Sequence, residues 1–290
     1  MKLNPVSLFL IPALIWGSTF FVIKFQLGEV DPTWSVSYRF ILAGITLLLF
    51  TKLRKLNLKF TVRQHLQILQ QGILLFGFNY WFVYIAEQVL VSALVAITFS
   101  CIIFLNILFG KLFLNKSAEK KVYLGALLGI SGTILMFRQE LMGMSMDDLP
   151  VFHLIICFSS VVIASLGNIK SAYNQTNGLP VLQTNAFGML YGGIIIGLIA
   201  LFSGIEVSFD TGFNYLSSLI YLSLFGSIFA FGGYLTLIGK IGADKAAYVL
   251  IVIPVIAVVL SVLFEGYILG WQVIAGMIFI LGGNFLVLRK

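Results

Sequence analysis

Arg39 stands about five residues inside an apolar run, 34–51. At the helical rise of 1.5 Å per residue, this places its guanidinium roughly 8 Å below the start of the run. There it presents a fork of donors that suits a carboxylate or a phosphate. It could instead pair with Glu29, Asp31 or Glu87, or snorkel along its own stem to a polar surface. Phe76, Tyr80, Tyr84 and Glu87 follow at i, i+4, i+8 and i+11, one face of an α-helix, with Asn79 beside them. Phe99 and Asn106, seven residues apart, share a face of another helix. Trp16, Asn168, Tyr234 and Tyr248 add further aromatic and amide groups. A cavity lined in this way stacks on flat or apolar groups, while a few hydrogen-bonding groups fix orientation. The same residues have blander readings: Tyr84 and Trp81 suit an aromatic belt at a polar–apolar boundary, and buried Asn side chains can simply bridge helices. Pro254 lies within an apolar run and deprives the carbonyl of Leu250 of its helical donor, as a hinge or as a static kink. Pro12 carries the same ambiguity.

No arrangement for catalysis accompanies these groups. His65 and His153 are far apart in sequence, and neither a two-His motif nor paired carboxylates inside the apolar runs occur. Cys101 and Cys157 both lie within apolar runs and lack metal-site spacing. The chain is therefore not expected to be an enzyme, and neither a cofactor nor a metal is expected.

The elements that must position these residues are membrane helices. The chain of 290 residues is 60 % hydrophobic and 10 % charged, with a mean hydropathy of +1.04. Ordinary globular chains are ~45–50 % apolar and ~25 % charged. Disorder, a secreted disulfide scaffold and a soluble nucleic-acid binder are excluded, and the net charge of +7 points to no nucleic-acid partner. Runs long enough to span, at ~20 residues each, lie at 5–25, 34–51, 66–86, 90–113, 121–138, 151–172, 183–203, 214–238, 245–264 and 270–288. The first continues past Trp16 to Phe25 without a small-residue cleavage site, so it reads as a span and not as a cleaved signal.

The basic residues test this assignment. Lys2, Lys52, Arg54, Lys55, Lys59, Arg63, Lys111, Lys116, Lys120, Lys121, Lys170, Lys240, Lys245, Arg289 and Lys290 all fall on one side. Glu29, Asp31, Glu87, Glu140, Asp147, Asp148, Glu206, Asp210 and Glu265 fall on the other. By the positive-inside rule both termini are cytoplasmic. Lys24, at the end of the first run, reads as an interface anchor. The basic 52–65 loop could grip anionic headgroups or simply fix orientation.

The two halves resemble each other. Ser92-Ala93-Leu94 opens one helix and Gly125 and Gly132 mark the next; Lys245-Ala246-Ala247 opens another, followed by Gly276 and Gly283 at the same spacing. Five spans per half is odd, so tandem copies at 1–145 and 146–290 enter the membrane in opposite orientations. The expected fold is an all-α integral membrane protein of ten helices in two inverted five-helix repeats, with a site near the midplane reached from either side in turn. Glycine stripes at Gly125, Gly129 and Gly132, at Gly188 and Gly192, and at Gly276, Gly282 and Gly283 allow close helix approach, within one chain or between two.

Trp16-Gly17-Ser18-Thr19-Phe20 resembles the Trp-Gly-Ser signature of the drug/metabolite transporter superfamily. Arg39-Phe40 with Ala43-Gly44 resembles the opening of that superfamily's second helix. Pro254, Glu265 and Gly276 follow the spacing of an EamA-type domain, so the whole chain is similar to two EamA-type repeats. The first repeat departs from the pattern: Cys101 stands near the position matching Pro254, and Leu114 or Asn115 near that matching Glu265. The resemblance implies export of small organic solutes, meaning amino acids, other metabolites or toxic compounds, by alternating access. Glu87 and Glu265 are expected near the outer surface, which leaves no carboxylate at mid-membrane and suggests transport that is not strictly proton-coupled. The main alternative is a carrier of anionic phosphorylated or nucleotide-linked metabolites, which would want more basic residues inside the spans than Arg39. A pore would need a filter or a charged ring, and neither is visible. The expected partners are a small-molecule substrate and membrane lipid, in a monomer or homodimer of the bacterial inner membrane.

Overall fold

The computed structural model describes residues 5–114, 120–136, 138, 149–234 and 249–288. Tyr248, Asn115, the Lys245-Ala246-Ala247 triplet and the charged residues Lys2, Lys116, Glu140, Asp147, Asp148, Lys240, Arg289 and Lys290 lie outside them. Among the described residues every regular element is a helix. The first half contains α1 (Pro5–Ile23), α2 (Pro32–Leu53), α3 (Val62–Glu87), α4 (Ser92–Leu114) and α5 (Lys120–Met136). The second contains α6 (Leu149–Thr176), α7 (Val181–Phe202), α8 (Phe213–Tyr234), α9 (Val249–Phe264) and α10 (Trp271–Leu288). Seven of these segments are long and apolar enough to cross a membrane; α5, α9 and α10 contribute shorter apolar stretches.

Of the helices that begin earlier than their apolar runs, α2 and α3 are started by polar caps. Asp31 accepts from the Thr33 amide at 2.7 Å, with Pro32 as the first helical residue of α2. Thr61 and Gln64 form a reciprocal capping box at the start of α3. Three helices also depart from regularity inside the core. α3 widens to a π-helix at Ile73–Phe78 and α8 does so at Leu222–Phe229. Each π segment contains a Leu-Phe-Gly triplet, Leu75-Phe76-Gly77 and Leu224-Phe225-Gly226. α4 is interrupted between Phe99 and Ile102, where the amides of Ser100 and Cys101 bond three residues back, to Ile97 and Thr98, both at 3.0 Å. α9 runs through Pro254 without interruption.

The halves interleave. α2 packs along α7, α5 along α10, α1 along α9, and α3 and α4 against α6. Glycine makes the closest of these approaches possible. A Cβ on Gly132 would sit 2.6 Å from the Gly276 carbonyl oxygen, and one on Gly276 would sit 2.5 Å from that of Gly132. The stripes on α5 and α10 therefore serve packing within one chain. Phe40, Phe76, Tyr84, Met189, Ile196 and Leu222 fill the core, while Leu49, Phe202, Phe213 and Phe264 project outward, where lipid replaces water as solvent.

Candidate functional site

A cavity of about 120 Å³ lies at the centre of the bundle. That is several times the ~10–15 Å³ that one water needs on the same measure. α1 contributes Trp16 and Thr19, α3 contributes Leu75, Asn79, Tyr80 and Val83, and α4 contributes Phe99 and Ser100. Asn168 comes from α6, Phe231 and Tyr234 from α8, and Leu250 and Ile253 from α9. Both halves thus build the wall, and among the described residues no lining side chain carries a formal charge.

The irregular segments aim the polar groups. Trp16 Nε1 donates to the carbonyl of Gly226, inside the π segment of α8, at 3.1 Å. Its ring then rests edge-on against Phe231 at 5.0 Å and tilted on Tyr234 at 5.3 Å. Asn79 is the first α-helical residue after the π segment of α3; its amide donates to Leu75 at 3.2 Å, and its Oδ1 is buried without a partner. Ser100 lies at the break in α4, and its hydroxyl is likewise buried and unpartnered. A solute in the cavity would meet aromatic faces, with the buried, unpartnered Asn79 Oδ1 and Ser100 hydroxyl among them.

Of the residues singled out from the sequence, Trp16, Asn79, Tyr80, Phe99, Asn168 and Tyr234 line this cavity. Phe76 does not: it is wholly buried between Phe40 and Phe231, at centroid distances of 5.6 and 5.4 Å. Tyr84 is also wholly buried and donates to Gln26 Oε1 at 2.6 Å, so it belongs to no surface belt. Phe76, Tyr80 and Tyr84 do share a face, turned toward Phe40 and Arg39 of α2, whereas the cavity is met by the neighbouring face through Leu75, Asn79 and Val83, with Tyr80 alone reaching both. Phe99 and Asn106, by contrast, do not share a continuous helix face, because α4 breaks between them. Asn106 stands behind the wall, accepting from Ser165 at 2.9 Å and from Asn168 at 3.3 Å. Tyr248 is outside the described residues. Pro254 is buried next to Ile253, one turn above the carbonyl of Leu250, and both neighbours line the cavity.

Arg39 is fully buried, and among the described residues no carboxylate pairs with it. Its Nε donates to Ser227 Oγ at 3.3 Å and Nη1 to Tyr84 at 3.5 Å, while Nη2 has no partner. The guanidinium lies over the Tyr80 ring at 4.5 Å. Its charge therefore sits one aromatic ring behind the cavity, not within it. Pairing with Glu29, Asp31 or Glu87 is not observed, and snorkelling is excluded by burial. Glu87, expected near a surface, is fully buried as well. Lys24 donates to the carbonyls of Glu87 and Leu90, a role closer to a strut than to an interface anchor. Sequence reasoning missed Thr19 and Ser100; Thr19, three residues after Trp16, was legible as a neighbour on the same helical face, whereas nothing in sequence marked the break at Ser100.

The model of the EamA-like transporter family matches residues 3–138 and again 151–289. The uncharacterized inner membrane transporter YedA of Escherichia coli K12 is 29 % identical over 86 % of this chain and 78 % of its own length. Protein PagO of Salmonella typhimurium is 25 % identical over 99 % of this chain and 93 % of its own. The uncharacterized transporter YyaM of Bacillus subtilis is 24 % identical over 93 % and 89 %. A crystal structure with 17 % identity superposes with a TM-score of 0.70, over 97 % of this chain and 95 % of its own, and so shares the fold.

Proposed function

The chain belongs to the EamA-like transporter family, and from that premise we propose that it exports small organic solutes by alternating access through the central cavity. It is a multi-pass protein of the bacterial inner membrane. The solute binds between the halves, the inverted repeats rock about it, and it leaves on the opposite side. The observation that carries this reading is the wall itself: aromatic faces from both halves, with the unused Asn79 Oδ1 and Ser100 hydroxyl among them. Buried polar groups without partners are costly, and a bound solute that satisfies them recovers that cost. Amino acids and metabolites of similar size fit this chemistry. Arg39, behind Tyr80, supplies a positive field that favours a carboxylate-bearing solute over an organic cation. Phosphorylated metabolites rank second, since among the described residues no lining side chain could neutralise a phosphate directly.

Among the described residues no carboxylate or histidine lines the cavity. The solute's gradient and the membrane potential therefore drive flux, and a proton gradient is not strictly required. The test is uptake of radiolabelled amino acids by purified protein in liposomes, with sugar phosphates as the contrast set and each run with and without a pH gradient. Saturable amino-acid flux without a pH gradient is expected. Flux of sugar phosphates alone would overturn the solute class, and strict dependence on a pH gradient would overturn the driving force.

A further inference from the structure

Two carboxyl groups that the cavity does not use meet where the end of α3 and the start of α4 touch the end of α9. Glu87 closes α3; it is wholly buried, and neither carboxyl oxygen has a hydrogen-bond partner. Glu265 follows α9; its Oε1 lies 2.9 Å from Ser92 Oγ, and its Oε2 is buried and unpartnered. The two acids are close enough to interact electrostatically. Each comes from a different half of the chain.

The proton count at Ser92 is informative. This fully buried hydroxyl lies 3.0 Å from the carbonyl of Phe20 as well as 2.9 Å from Glu265. A serine hydroxyl owns one proton, and a carbonyl can only accept. Ser92 can donate to Phe20 or to an ionised Glu265, not fully to both. Both contacts become hydrogen bonds when the carboxyl of Glu265 donates to Ser92 and Ser92 donates to Phe20. Glu87 points the same way, because a buried carboxylate with no donor on either oxygen is heavily penalised. The titratable groups around Glu87 are Lys24 beyond α1, Arg39 on α2, Tyr84 on α3 itself, Cys157 on α6 and Glu265. The two cations do not bond the acids: Lys24 donates to the Glu87 and Leu90 carbonyls, and Arg39 to Ser227 and Tyr84.

We propose that Glu87 and Glu265 form an exchangeable proton-binding site that latches the two halves together at this end of the molecule. Water delivers one proton to each carboxyl group, and the O–H formed on Glu265 donates to Ser92. Return of both protons to water leaves two carboxylates within electrostatic reach of each other, whose repulsion separates α9 from the α3–α4 connection. The Ala93 amide, which donates to Ser261 Oγ at 3.0 Å, is the other contact that must part. The consequence for transport rests on the alternating-access reading, whereas the proton site itself does not: pH sets which side is open without a proton replacing the solute.

The site is tested on the full-length protein by infrared difference spectroscopy between acidic and alkaline buffer. A carboxylic-acid carbonyl band is expected in the native protein and is expected to be lost in the Glu87→Gln/Glu265→Gln variant. The latch is tested by spin labels on Val89→Cys and Ile268→Cys, at exposed positions of the two connections. Their separation should lengthen on alkalinisation and, with both Gln substitutions added, should stay short at every pH. Absence of the band in the native protein overturns the proton site even if the variant does not fold. A separation that ignores pH, or that follows sodium in place of pH, overturns the latch. Solute flux persisting without the band would leave the transport reading intact and remove only this inference; band and pH-dependent separation without flux of any solute would do the reverse.

Discussion

The fourth helix of each half meets the cavity in opposite ways. α4 has no proline and is broken at Ser100 and Cys101; α9 contains Pro254 and runs unbroken from Val249 to Phe264. The difference shows that an interruption needs partners for the groups it frees, more than a residue that forbids helix. At the break, the carbonyl of Ser100 accepts from Asn284 Nδ2 of α10 at 3.2 Å, and the Phe104 ring lies against Gly129 and Gly283. α4 can therefore leave the helical path because α5 and α10 receive what it exposes. Pro254 removes a single donor, and the rest of α9 keeps its ladder. The third helices, by contrast, match: both widen to π-helix around a Leu-Phe-Gly triplet, and both free groups toward the cavity. The halves are thus alike where they shape the cavity wall and unlike where one offers a hydroxyl and the other a proline.

The largest effect expected from breaking this contrast is at Phe104. Phe104→Ala empties the space between α4, α5 and α10 and should destabilise the protein by ~3–5 kcal/mol, read as a lowered thermal midpoint in detergent. Asn284→Ala comes next. It strands the carbonyl of Ser100 and should cost ~1–3 kcal/mol. Amide exchange around residues 100–105 should rise before that of α9. Trp16→Phe removes the bond to Gly226 while keeping an aromatic wall, and should lower stability by ~1 kcal/mol. Loosening of the α8 π segment would be its spectroscopic sign. Pro254→Ala is the smallest, within ~1 kcal/mol of the native protein, because it restores one bond to Leu250 in a helix that is already continuous. Should Pro254→Ala unfold the protein while Asn284→Ala leaves it untouched, the contrast between α4 and α9 is inverted.

Much of the fold was legible because lipid imposes it: each apolar run contains helix, and the starts at Pro32 and Val62 were missed only because caps are polar. The irregular segments were not legible. A π-helix and a broken turn use the same apolar residues as a regular helix, and their cause lies in distant partners such as Asn284. The candidate site inherited that blindness. Trp16, Asn79, Tyr80, Phe99, Asn168 and Tyr234 reach the cavity, whereas Phe76 and Tyr84 pack with Tyr80 against Phe40 and Arg39 of α2, and spacing along α3 alone does not say which partner its faces meet. Arg39 is legible in the sequence as a charge within an apolar run. Its neighbours Ser227, from the other half, and Tyr80, stacked beneath it, could not be inferred from spacing.

The most direct test of the central claim is solute counterflow. Liposomes containing the purified protein are preloaded with one unlabelled amino acid and diluted into a trace of the same compound labelled, at zero membrane potential and equal pH. An alternating-access carrier predicts a transient accumulation of label above the external concentration for at least one amino acid, reduced at least about tenfold by Asn79→Leu, which fills the acceptor position with an apolar group. Label that merely equilibrates, with no overshoot for any solute, would contradict the account and mark the cavity as part of a pore.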